Sequence, residues 1–209
     1  MRQIFDITQT TSAKTVVIPG DAPLTIHWSD RMEQGGGANV SAWTQSPHLG
    51  THMDASLHVD AAGGDVTEIP LEAVMGECWV VDVRSEMPGA REIGLEVLTR
   101  LPQTLQRVLF KTRTTPLERW EEPTAYLSPA LVEALLTRGA QLIGIDAFGI
   151  DPYDSPDLRG HHVALSAGVV LLENLDLRAV PEGRYELFAF PLKIAGLEAS
   201  PVRAILREY

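Results

Sequence analysis

Residues 128–147, SPALVEALLTRGAQLIGIDA, decide the fold class. Ser128 is a good helix N-cap, and Pro129 at the first helical position is pre-set for the helix. Leu131, Leu135 and Leu136 make an apolar stripe, and Gly139 stops the helix. The next residues, QLIGIDA, read as a buried strand. A helix feeding directly into such a strand is an α/β signature. Working outward, short apolar runs predict strands at 78–83 (CWVVDV), 108–112 (VLFKT), 142–145 (LIGI), 185–191 (YELFAFP) and 202–206 (VRAIL). A second helix is predicted over 92–101, closed by Pro102. The last two strands are close enough in sequence for a hairpin-like antiparallel pair. The sheet is therefore expected to be mixed.

The chain has 209 residues, a length that suits one domain over 1–209. At 44% hydrophobic it can bury a sizeable, mainly aliphatic core, so disorder is excluded. Its 17 Lys and Arg stand against 28 Asp and Glu, a net charge of −11. Such a surface repels phosphate backbones and anionic lipid, so neither nucleic acid nor a membrane is an expected partner. The single cysteine, Cys78, excludes an internal disulfide and a thiolate-rich metal site, and reads as a core residue beside Trp79. The start, MRQIFDITQT, has no apolar stretch of signal-peptide length, and the most apolar window, 163–172, is too short to span a bilayer. A cytoplasmic protein is expected. The triple glycine 35–37 reads as a surface loop.

The chemistry is concentrated at 46–60, SPHLGTHMDASLHVD, which holds His48, His52 and His58, three of the six histidines, with Asp54 and Asp60. Imidazole beside carboxylate suits zinc, manganese or iron. In an extended segment His52 and Asp54 project from one face, and Gly50 permits a turn that brings His48 to the same point. Three ligands with open positions resemble a catalytic metal site more than a closed structural one. Thr51 is placed to hold a ligand by a hydrogen bond. His58 is either another ligand or the group that moves a proton. His27 reads as structural. In the second half, His161 and His162 follow an Asp- and Pro-rich loop. Glu173 ends an apolar run, either as a solvated strand end or as a buried, paired carboxylate; taken alone, the solvated reading is the stronger.

The run from His48 to His58, HLGTHMDASLH, resembles the H-x-G-T-H-x-D-x-P-x-H motif of the metal-dependent cyclase/hydrolase family, and within it the bacterial formamidase branch. The resemblance covers almost the whole chain. It takes in Asp6-Ile7, Ile18-Pro19-Gly20-Asp21, His161-His162, Leu172-Glu173 and the segment GLEASPVR at 196–203. It implies a single-domain α/β swivelling fold, two zinc ions per subunit (with manganese or cobalt as alternatives) and a homodimer. Carried over residue by residue, it makes His48, His52 and Asp54 ligands of the first metal. Asp54 bridges to a second metal held by His161, Glu173 touches both, and His58 is the proton shuttle. The implied reaction is hydrolysis of N-formyl-L-kynurenine to L-kynurenine and formate, in tryptophan degradation. A cyclic amide such as isatin is the alternative substrate, and a non-catalytic metal-binding member of the fold the alternative role. Two positions depart from the pattern. Ser56 replaces a proline, which loosens the approach to His58. Ile18 stands where the branch carries a pocket-lining tryptophan, which leaves Trp28 or Trp43 to supply the aromatic contact.

Overall fold

One sheet, closed on itself, presents two apolar faces and so builds two cores. The computed structural model describes residues 2–86, 91–116, 118–120 and 124–209. The first half contributes β1 (Ile4–Asp6), β2 (Thr25–Asp30), β3 (Val40–Thr44), β4 (His52–Asp54), β5 (Met75–Asp82), β6 (Glu92–Ile93) and β7 (Arg107–Lys111). The second contributes β8 (Tyr126–Leu127), α1 (Pro129–Thr137), β9 (Leu142–Ile145), α2 (Arg159–Ser166), β10 (Val170–Glu173), β11 (Gly183–Pro191) and β12 (Ala199–Arg207). The main sheet runs β1-β12-β11-β5-β7-β9-β10-β4, and β4 pairs back onto β12. The nine-residue β12 has room on one edge for both β4, at Ala199–Pro201, and β1, at Ile205–Arg207. Seven strands thus close a barrel, with β1 added beside β4.

The predicted mixture of pairings is present. β5, β7, β9 and β10 are parallel neighbours, and β11 and β12 form the antiparallel pair. Parallel strands need crossovers, which α1 supplies between β7 and β9, and α2 between β9 and β10. The Ser128 hydroxyl caps α1 by accepting from the Leu131 N–H at 3.1 Å. The predicted second helix is not α-helical: 92–93 pair with β8, and Leu95–Arg100 is a 3-10 stretch. With Gly94 between them, the two short segments bury Ile93 and Val97 against the helical layer without a continuous amphipathic helix.

Alternation then sorts the side chains. Val80, Leu109, Leu142, Leu172, Met53, Leu187 and Leu206 fill the barrel interior. Their neighbours Val81, Val108, Phe110, Ile143, Ile145 and Leu171 face outward and pack with Leu131 and Leu135 of α1 and Ala164 and Leu165 of α2. Cys78 is buried in the inner core as expected. Met53 points inward, so His52 and Asp54 must point outward, to the helical side. Glu173 pairs with His52 and Leu171 with Asp54, which puts Glu173 on that same outer face. Period-two geometry therefore keeps three polar groups out of the apolar barrel and delivers them to the edge of the helical layer.

Candidate metal centre

The centre forms where the β4 and β10 ends meet α2. His48 comes from the turn before β4, where Gly50 takes φ +74, a conformation that costs little only for glycine. This turn brings the His48 Nδ1 to 3.2 Å from the Asp54 Oδ1. His52 Nε2 lies 3.5 Å from both Asp54 and Glu173. His161 Nε2 lies 3.3 Å from Glu173 and 3.7 Å from Asp54. His162, its neighbour on α2, is exposed and turned away. The ring of His58 sits between those of His48 and His161, with centroids 4.5 and 5.6 Å away.

The inward nitrogens of His52 and His161 are each aimed by a bond on the other side of the ring. His52 Nδ1 lies 2.9 Å from the Gly50 carbonyl oxygen. His161 Nδ1 lies 2.6 Å from Asp151, whose carboxylate also accepts the N–H groups of Gly160 and His161 at the start of α2. Asp151 thus caps the helix and fixes the ring it carries. Thr51 does not hold a ligand directly. Its hydroxyl donates to the Asn174 carbonyl at 2.7 Å, tying the β4 end to the β10 end one residue beyond Glu173. Asn174 itself is in the left-handed region at φ +57. The solvated reading of Glu173 fails: it is only 2% exposed and accepts the Ile150 N–H at 2.9 Å.

Burial opposes charge on Asp54, Glu173, His48, His161 and His58, and mutual attraction overrides it in all but His58. Burial works to raise the pKa of Asp54, but His52, His48 and His58 hold it below the usual carboxylate range. Glu173 is lowered as well, burial being outweighed by His161 and the His52 contact despite repulsion from Asp54. Burial disfavours the charged forms of His48 and His161, yet the surrounding carboxylates carry His48 up to about 9 and raise His161 well above its ordinary value. His58 goes the other way: burial, with His48 and His161 nearby, lowers it and keeps the ring neutral.

Both oxygens of Asp54 are buried and accept no hydrogen bond among the described residues. A fully buried, ionised, unsatisfied carboxylate ringed by imidazoles is costly for the protein alone and fits a bound cation. Two groups of donors lie within metal-binding reach, His48/Asp54/His58 and His52/Asp54/Glu173, and they share Asp54. Nitrogen and oxygen donors without sulfur suit zinc, manganese or cobalt.

The cluster forms one end of a cavity of about 410 Å3, lined also by Ile18, Asp21, Trp120, Phe148 and Tyr153. Ile18 therefore does face the site. Trp28 and Trp43 do not. They lie exposed on the β2–β3 hairpin, whose side chains face solvent, while the aromatic wall comes from Trp120 with Phe148 and Tyr153. No Lys or Arg among the described residues lines the cavity. Asp151, Glu198 (3.4 Å from His48) and Trp120 are the site residues that the pattern did not reveal. Asp151 is one of three aspartates in DPYDSPD, and Trp120 sits in a charged stretch with no apolar period.

The Cyclase family model ("Putative cyclase") matches residues 5–152. The chain belongs to the Cyclase family. Its relatives include the kynurenine formamidase of Paracidovorax citrulli, 41% identical over 99% of this chain and 97% of that one. Among solved structures of the fold, one described as a potential metal-dependent hydrolase with cyclase activity superposes with a TM-score of 0.85 at 27% identity, covering 100% of this chain and 99% of that one. Isatin hydrolase A from Labrenzia aggregata has the same fold, with a TM-score of 0.82 at 23% identity, covering 99% of this chain and 94% of that one. The Cyclase match includes the whole His48–His58 run and stops before His161 and Glu173, which the fold then brings to the same point.

Proposed function

We propose that the chain, as one metal-dependent hydrolase domain over 1–209, converts N-formyl-L-kynurenine to L-kynurenine and formate. The observation that carries this reading is the buried, unsatisfied Asp54 carboxylate shared by two groups of donors at the end of an organic-sized cavity. The 41% identity to a kynurenine formamidase supports the choice of substrate. His48, His52 and Asp54 would hold one zinc ion and His161 the second, with Asp54 and Glu173 within reach of both. Two zinc ions per subunit are the expected load, with manganese or cobalt able to take the same donors.

Divalent cations held there supply the Lewis acidity that activates water and polarises an amide carbonyl. The protein does the rest. His58, neutral and flanked by His48 and His161, takes a proton from the attacking water and delivers it to the departing aryl nitrogen as the C–N bond breaks. Water supplies the oxygen that leaves in formate, so no residue forms a covalent bond to substrate. Burial pushes the Cys78 thiol far up, and it plays no part. Ile18 contributes an aliphatic part of the wall. The working unit is a cytoplasmic homodimer. The β2–β3 hairpin, which leaves Ile26, Trp28, Val40 and Trp43 about half exposed, supplies apolar surface for that association. Among the described residues no helix is long and apolar enough to cross a membrane.

The test is turnover of N-formyl-L-kynurenine by purified protein, after chelation and again after zinc repletion. Turnover that falls and returns supports the reading. A zinc-loaded protein that leaves the formamide intact and opens isatin moves the assignment to cyclic amides, the reading that Ile18 favours by removing a ring from the wall. Metal binding with neither reaction makes the chain a non-catalytic member.

A further inference from the structure

Resting on the aryl-formamide reading, we infer that Trp120 is the specificity-determining residue that receives the aromatic ring of the substrate, in place of a ring at position 18. Residues 148–151, a short way beyond the end of β9, run along the cluster. A Cβ at Gly149 would stand 3.5 Å from both carboxylate oxygens of Glu173 and 3.6 Å from His161 Cε1, so the backbone there lies directly against the metal ligands. Ile150 donates its N–H to Glu173, and Asp151 orients His161. The residue before them, Phe148, therefore starts an aromatic wall one step from the cluster. Trp120 packs on it with ring centroids 4.9 Å apart, and Tyr153 meets Trp120 edge-on at 6.2 Å and 88°.

All three rings line the same cavity as His58 and Ile18. In an aryl amide the ring is bonded to the scissile nitrogen, so a substrate whose carbonyl sits at the cluster must place its ring within a few ångströms, beside this wall. Trp120 has one neighbour tilted against it and another at its edge, an arrangement that holds the indole in place for a further stacking contact. Its chain neighbours are charged, and its placement in a cavity is otherwise unexplained.

The experiment compares zinc-loaded wild type with Trp120→Leu, Trp120→Phe and Tyr153→Leu. Substrates are N-formyl-L-kynurenine and N-butylformamide, and L-kynurenine binding is followed by calorimetry. One stacking contact corresponds to about a tenfold change in affinity. Trp120→Leu should raise KM for the aryl substrate about that much and weaken L-kynurenine binding equally. It should leave kcat for the aryl substrate within about twofold and change kcat/KM for the alkyl substrate several-fold less than for the aryl one. Trp120→Phe should retain most of the binding. Tyr153→Leu, at an exposed position that tolerates change, should give a smaller loss in the same direction. An unchanged aryl-to-alkyl ratio and unchanged L-kynurenine affinity in Trp120→Leu overturn the inference while leaving the reaction intact. Absence of formamide turnover in wild type, with L-kynurenine binding that still depends on Trp120, overturns the reaction and leaves the inference standing.

Discussion

Replacing Asp151 by asparagine tests whether the centre is organised from behind the ligands. Asp151 offers two carboxylate oxygens to three donors: the Gly160 N–H at 2.8 Å, the His161 N–H at 2.9 Å and His161 Nδ1 at 2.6 Å. Asparagine has the same shape but only one acceptor oxygen, and its NH2 must face at least one of those donors. If the amide oxygen serves His161, the Gly160 N–H is orphaned; if it serves Gly160, both His161 donors are. A lost charge-assisted bond in a buried setting costs about 1.5–3 kcal/mol. For a chain of this length that is roughly 3–12 °C in melting temperature. Without its partner the His161 ring loses its fixed tautomer and orientation, and losses of this kind cost about 10–100-fold in metal affinity. Thermal melts of the metal-free proteins and zinc titration against a competing chelator give both numbers. His162→Asn, at the exposed neighbour, is the control and should change neither. An Asp151→Asn protein that melts within about 1 °C of wild type and binds zinc equally well would refute the reasoning.

His58→Ala should keep the wild-type metal content, measured by elemental analysis, and lose about 100-fold or more in kcat, since general acid–base groups contribute about 10²–10⁴-fold; loss of metal instead makes His58 a ligand, as its place beside Asp54 and His48 permits. Asp146 gives a pH prediction. Burial pushes its carboxyl up to about 6, against a weaker opposing pull from Thr112 and Arg113. The folded state then holds the proton better than the unfolded state does. The group costs nothing below its usual value of 3.8, and stability falls as pH rises from there to about 6. At about 1.4 kcal/mol per unit the full cost is on the order of 3 kcal/mol. Asp146→Asn should remove that slope in urea unfolding between pH 4 and about 7, and a slope equal to wild type refutes it. Inside the barrel, a Cβ on Gly144 would stand 2.5 Å from Leu109 Cδ2 and 2.9 Å from the Leu172 carbonyl oxygen. Gly144→Ala should therefore cost about 1–3 kcal/mol by overpacking, read as a lower melting temperature at unchanged metal content.

Local physics in the sequence determined the pieces of this protein. The Ser128 cap, the leucine stripe and Gly139 mark the start, the buried face and the end of α1, and apolar runs long enough to cross a sheet mark β5, β7, β9, β11 and β12. The His48–His58 run carries most of one candidate metal-binding group because its members are near neighbours. A turn at Gly50 and the alternation of a strand suffice to gather them. Tertiary structure decided everything that depends on closure. The pairing of β4 with both β10 and β12 lets Glu173 face His52, and so turns an apparently solvated strand end into a buried carboxylate of the cluster. The return of α2 selects His161 over His162 and gives one aspartate of DPYDSPD a task that the other two lack. The aromatic wall is also a product of the fold, because Trp120, Phe148 and Tyr153 share no period and meet only when their loops pack. Periodicity records which face of its own element a side chain occupies; partners from distant elements are set by the register in which the chain closes.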